Sequence, residues 1–150
     1  MISADDLQKA AVEISAATSA IRFRIHPQER LVWFRVEGKI TIDQLIEGIY
    51  EVGRHPEFHP AMDTFVDMEQ GGVSFSEARP GSVASWQEFF HLHRFVRDGV
   101  KWAILTQDAA TLEAVMSVHQ VEQGSEISVQ VFTLRDAALL FLDREDPRSW

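Results

Sequence analysis

Apolar and polar residues change period several times along the chain, and each change marks an expected element. In residues 3–17, Leu7, Ala10, Ala11, Ile14 and Ala17 recur at helical spacing behind Ser3, an N-cap residue type. Three of those five are alanine, so residues 1–18 are expected to form a loosely docked helical segment ahead of one α/β domain over 19–150. From residue 20 the period becomes two. Ile21, Phe23 and Ile25 alternate with Arg22, Arg24 and His26, the pattern of a strand with one wet face. Pro27–Arg30 then supplies a turn, and Leu31 to Val36 reads as a second strand, closing an antiparallel hairpin that Gly38 ends.

Thr41-Ile42-Asp43-Gln44 has the form of a capping box. Ile42, Leu45, Ile46, Ile49, Tyr50 and Val52 cover about 160° of the helix behind it, and Gly53 stops that helix. Pro56 and Pro60 keep residues 54–60 irregular. Met62–Met68 is a compact strand candidate, followed by an aperiodic stretch, Glu69–Gly81, with two Gly-containing pairs. Residues 82–97 read as a strongly apolar helix and Val100–Leu105 as a buried strand. Asp108 caps a helix to about Val121, Ser128–Phe132 forms a last strand, and Thr133–Asp136 opens a terminal helix through Leu142. The resulting order, (α)ββαβαβαβα, predicts a mixed four- to five-stranded sheet with helices mostly on one face. Val32, Phe34, Val36, Phe65, Ile104 and Val131 are its expected core.

Composition narrows the class. The 150 residues are 45% hydrophobic and 25% charged, which suits one globular domain. The absence of cysteine removes disulfides, thiol catalysis and Cys-ligated metals. A net charge of −9 argues against nucleic acid and anionic membrane surfaces as partners. No apolar run reaches the roughly 20 residues of a membrane span, and the first residues lack the layout of a secretion signal. A cytoplasmic protein is expected.

Candidate chemistry is sparse. His55 and His59 have the i, i+4 spacing of a zinc helix, but Pro56 and Pro60 break the helix that would give the spacing meaning. His93 falls between Trp86 and Phe89 by helical angle, His91 falls on a polar side, and His119 suits a helix C-terminus. No serine lies in a nucleophile elbow, and Gly71-Gly72 matches no phosphate loop. Asp63 and Asp67, four apart on a strand, share a face, an arrangement open to acid–base work or to plain solvation. No catalytic residue, metal or cofactor is assigned.

The helix over 82–97 carries more apolar surface than one sheet contact needs. Val83, Trp86, Phe89, Phe90, Leu92, Phe95 and Val96 span about 240° of its circumference, against the ~100° that packing on a sheet requires. Trp86, Phe89, Phe90, His93 and Phe95 are therefore candidate interface or pocket residues. Internal packing, a homodimer contact and a ligand pocket are the three covers considered.

His26-Pro27 and Arg30-Leu31-Val32 in the hairpin, Gly38-Lys39-Ile40-Thr41 before the first helix, Phe65-Val66-Asp67-Met68, Val129-Gln130-Val131-Phe132 and Arg135-Asp136-Ala137 carry a resemblance. Over about residues 20–143 the chain resembles STAS-like domains of the SpoIIAA-like type, the fold of bacterial anti-sigma-factor antagonists. The resemblance implies a non-enzymatic domain that binds or regulates a protein partner. It places a regulatory loop after the central strand, where the comparable residues are Asp67, Ser74 and Ser76 and where family members carry a phosphorylated Ser or Thr. This chain lacks the acidic residue before either serine, and Pro80-Gly81 interrupts the helix that follows in the family. Similar patterns also resemble lipid-binding SEC14-type domains, so the alternative is a small apolar-ligand or lipid-binding protein that uses residues 82–97 as a pocket wall.

Overall fold

A computed structural model describes residues 12–15, 21–59, 61–74, 100–119 and 127–149. Its strands are β1 (Val12–Ser15), β2 (Ile21–His26), β3 (Leu31–Thr41), β4 (Asp63–Ser74), β5 (Val100–Thr106) and β6 (Ile127–Phe132). The helices are α1 (Ile42–Gly53), α2 (Ala109–His119) and α3 (Arg135–Leu142). All six strands lie side by side in chain order. β1, β2 and β3 pair antiparallel, and β3, β4, β5 and β6 pair parallel.

The α/β class and the mixed sheet follow the periodicities. The hairpin turns at Pro27–Arg30, where the Arg30 amide donates to the Pro27 carbonyl. Thr41 makes both halves of the capping box with Gln44. Asp108 holds the first turn of α2, accepting from the Thr111 amide. Two expectations fail. Val12–Ser15 is not helical: it is extended and pairs along β2 as an edge strand. Four residues of Val-Glu-Ile-Ser also fit a period of two, and the open edge of β2 supplies the hydrogen bonds a strand needs. The second failure is the length of the central strands. β3 runs past Gly38 to Thr41, and β4 runs past Met68 to Ser74, with ten register pairs between them.

Two cores result, one on each face. Val32, Phe34, Val36, Val66 and Ile104 pack under α1 together with Ile42, Leu45, Ile49 and Val52, and α2 adds Val115. Leu31, Trp33, Phe65, Ala103 and Leu105 pack under α3 with Ala138, Leu139 and Leu142. The expected core residues are at most 2% exposed, save Val131, which is partly buried against the first core. Because β3, β4 and β5 are covered on both sides, their sequences read as unbroken apolar runs. Each fully buried aliphatic side chain contributes about 1.5–3 kcal/mol, so Ile42, Leu45, Ile46, Ile49 and Val52, the inward residues of α1, fix that helix on the sheet. No helix among the described residues is long and apolar enough to cross a membrane.

Candidate functional site

Three places bring chemistry-bearing side chains together: the middle of the α3 face, the C-terminal edge of the parallel strands, and a cavity on the α1 face.

On the α3 face, Asp67 is 8% exposed and lies inside β4, not in a loop after it. Its Oδ2 accepts from Trp33 Nε1 at 3.2 Å and from Arg135 at 2.8 Å. Its Oδ1 accepts from the Glu69 amide at 3.3 Å. That amide sits where the register slips: between the pairs Arg35–Asp67 and Glu37–Gln70, one residue of β3, Val36, stands opposite two of β4, Met68 and Glu69. The extra residue is a bulge, which leaves a ladder donor over and shifts the alternation of the strand. Val66 and Met68 face the first core before it and Val73 after it. Asp67 satisfies the amide the bulge releases.

Arg135 is the hub of this cluster. Besides Asp67 it donates to Glu69 at 3.1 Å and, through two nitrogens, to Asp146 at 2.8 and 3.0 Å. Its guanidinium also stands over the Phe65 ring, 5.3 Å from the centroid. Burial works against its charge, yet the bonds to Asp146 and Asp67 outweigh burial and raise its pKa. Burial likewise opposes ionisation of Asp146, and the bonds from Arg135 and Arg148 override it, holding that carboxyl well below the usual range. Arg144, just past the end of α3, pairs with Asp63 at 3.0 Å. Arg135 opens α3 and Arg144 follows its end, and the two pair with the two aspartates on β4. Asp63 and Asp67 thus share a face, as their spacing predicts, but each is committed to an arginine. They clamp a helix, and neither is poised for proton transfer.

At the C-terminal edge, Asp108, Thr111 and Lys39 surround the end of β4. Thr111 Oγ1 donates to Asp108 at 2.5 Å, and it accepts from the Val73 amide at 2.9 Å. Lys39 Nζ is 3.6 Å from Asp108. The Thr111 hydroxyl, then Lys39, hold the Asp108 carboxyl below its ordinary value. The two glycines are needed here. A Cβ on Gly72 would stand 2.7 Å from both Asp108 Oδ2 and Thr111 Oγ1, and one on Gly71 would collide with the backbone carbonyls of Gly38 and Val36. Gly71-Gly72 is therefore strand packing and not a loop signal. Ser74, the last residue of β4, stands opposite Thr41. Seven residues of strand, roughly 23 Å, separate it from Asp67, so the two do not form one site. Ser76, Trp86, Phe89, Phe90, His93 and Phe95 lie outside the described residues.

His55 and His59 turn inward to their own loop: Nδ1 of each accepts a backbone amide two residues on, at 3.1 Å. No cluster of three or more metal-ligating side chains occurs among the described residues.

On the α1 face the structure holds a cavity of about 360 Å3. Its floor is Val32, Phe34, Thr64 and Trp102, none more than 5% exposed. Ile49 and Val52 of α1 form a wall, Phe58 closes one side, and the exposed Tyr50, Gly53 and Arg54 frame the mouth. Two polar groups in it stand unused. Thr64 is 2% exposed, yet its hydroxyl makes no hydrogen bond among the described residues. The Arg54 guanidinium has no ion pair or hydrogen bond there either; only its backbone amide is engaged, at the end of α1. Sequence reasoning passed over both. The one available signal was Thr64 itself, the polar member of the otherwise apolar phase Met62, Thr64, Val66, Met68. Comparison with protein-family models, curated proteins and solved structures finds no match for the chain.

Proposed function

We propose that this chain is a STAS-like domain that works by binding, and that its occupant is a small, largely apolar molecule held in the cavity beneath α1. The observation that carries the reading is the cavity: about 360 Å3, with an apolar floor and wall, within the range of small-molecule sites and with the few convergent polar groups such sites use. A cavity of about 150 Å3 lodges the six carbons of benzene. At that density the present one holds roughly fourteen non-hydrogen atoms. The carboxylates on the α3 face and at the strand ends support binding over proton transfer, since they are spent on Arg135, Arg144, Thr111 and Lys39.

Isothermal titration calorimetry with decan-1-ol tests the proposal. One site per chain is expected, with a Kd on the order of 10–100 µM. Val52→Phe, which fills the cavity from α1, should abolish the heat while thermal melting remains cooperative. Absence of binding to the wild type, or undiminished binding to a folded Val52→Phe, would sink the proposal. A protein partner is a second reading, supported by Lys39, Thr41 and Ser74 gathering at adjacent strand ends, with Lys39 56% exposed. It predicts that Lys39→Glu loses a partner that Arg54→Gln retains, in pull-downs from the native cells.

A further inference from the structure

Resting on the ligand-cavity reading, we infer that the occupant is an apolar carboxylic acid that carries a second hydrogen-bonding atom at its inner end. Arg54 receives the carboxylate at the mouth, and the Thr64 hydroxyl meets the inner polar atom.

The mouth is cationic in a protein that is otherwise acidic. The chain carries a net charge of −9, yet none of the described residues lining the cavity is Asp or Glu, and Arg54 is the one charged residue among those described. Every other arginine described in the α3 cluster is engaged: Arg135, Arg144 and Arg148 all hold carboxylates. Arg54 is not. An exposed guanidinium at the rim of an apolar cavity, with no side-chain partner among the described residues, offers a bidentate fork to an incoming carboxylate. A cationic ligand would meet only repulsion there.

Among the described residues on the cavity floor, Thr64 supplies the hydroxyl. The first core contains apolar residues at the comparable inward positions of β4, Val66 and Met68, so the hydroxyl at 64 is the polar exception on that face. Valine at 64 would fill the same volume without offering a hydrogen bond. The hydroxyl of Thr64, inside the cavity and unbonded to the described protein, is accounted for by a polar atom brought by the ligand. Thr64 discriminates between acids with and without that atom; Arg54 discriminates acids from alcohols. The volume bounds the size at roughly fourteen non-hydrogen atoms, which a ten-carbon hydroxy acid meets and a long-chain lipid exceeds.

Calorimetric titration at pH 7.5 with decanoate, decan-1-ol and 10-hydroxydecanoate, all below micelle-forming concentrations, separates these claims. Wild type should bind decanoate roughly fivefold tighter than decan-1-ol, and 10-hydroxydecanoate tighter again by a similar factor. Arg54→Gln, at an exposed position, should erase the preference for decanoate over decan-1-ol. Thr64→Val should erase the advantage of 10-hydroxydecanoate over decanoate, with a melting temperature equal to or above the wild type. Decan-1-ol bound as tightly as decanoate, or decanoate affinity unmoved by Arg54→Gln, would overturn this inference and leave the cavity reading intact. A hydroxy acid with no advantage, or one that survives Thr64→Val, would overturn the inner contact. No heat from any of the three ligands would overturn both readings.

Discussion

Replacing Arg135 with methionine keeps the length of the side chain and removes its charge from the middle of the α3 face. In the wild type the Arg135 and Asp67 side chains are 10% and 9% exposed, so this is a buried pair and not a surface one. Arg135→Met leaves Asp67 with the Trp33 indole and the Glu69 amide, and leaves Asp146 with Arg148 alone. Breaking a buried pair on one side costs about 3–5 kcal/mol; the retained bonds of Asp67 place the expected loss at the lower end, about 3 kcal/mol. For 150 residues the unfolding entropy is about 0.3 kcal/mol/K, so the melting temperature should drop by roughly 10 °C. Asp67→Asn alone should cost less, because Glu69 and Asp146 still hold Arg135. Combining the two should recover part of the loss, with a coupling of about 1.5–3 kcal/mol. Urea unfolding followed by tryptophan fluorescence and far-UV dichroism, at pH 7 and moderate salt, measures all four corners of the cycle. A loss below about 1 kcal/mol for Arg135→Met, the range of exposed pairs, would refute the buried-clamp account of α3. Strict additivity would do so too.

Other expectations concern the strand ends and the hairpin. Gly72→Ala should cost about 1–3 kcal/mol by forcing Asp108 and Thr111 apart, and Gly71→Ala should cost more, since its Cβ meets backbone that cannot swing away; chemical denaturation giving wild-type stability for either would contradict the close approach. His26 gives a pH dependence. Burial, then the Arg24 charge, lowers its pKa, so the folded state binds fewer protons than the unfolded chain between the two values. The resulting stability is fully present above about pH 7 and is lost as pH falls from about 6.5 through the folded pKa. His26→Gln should therefore flatten the fall in unfolding free energy between pH 7 and pH 5; an unchanged slope would remove His26 as its source.

What could be read from the sequence was whatever a single period reports. The hairpin, the Thr41 capping box, β5, the Asp108 cap and α3 all fall within runs of one periodicity, and each forms as its pattern predicts. β1 was lost because Val12–Ser15 is too short to declare a period of two inside an alanine stripe, and its partner edge is a tertiary fact. The second half of β4 was lost because the bulge after Asp67 resets the alternation, and because Gly71-Gly72 mimics a turn while serving a close strand contact. Asp67 reads from the sequence as a solvated strand carboxylate or a loop residue; its burial and its partners, 34 and 68 residues away, were not legible. The cavity was the least legible feature. It is assembled from β3, β4, β5, α1 and the loop at Phe58, and only an out-of-phase threonine hinted at it.

The central claim is that the space under α1 takes an apolar acid. Methyl-labelled protein, observed by two-dimensional carbon–proton NMR during titration with 10-hydroxydecanoate, tests it most directly. The account predicts saturable shifts of the Val32, Ile49, Val52 and Thr64 methyls, which line the cavity, while Leu139 and Leu142 under α3 stay in place. Shifts confined to the α3 face, or no saturable shift at Val32, Val52 and Thr64, would contradict it.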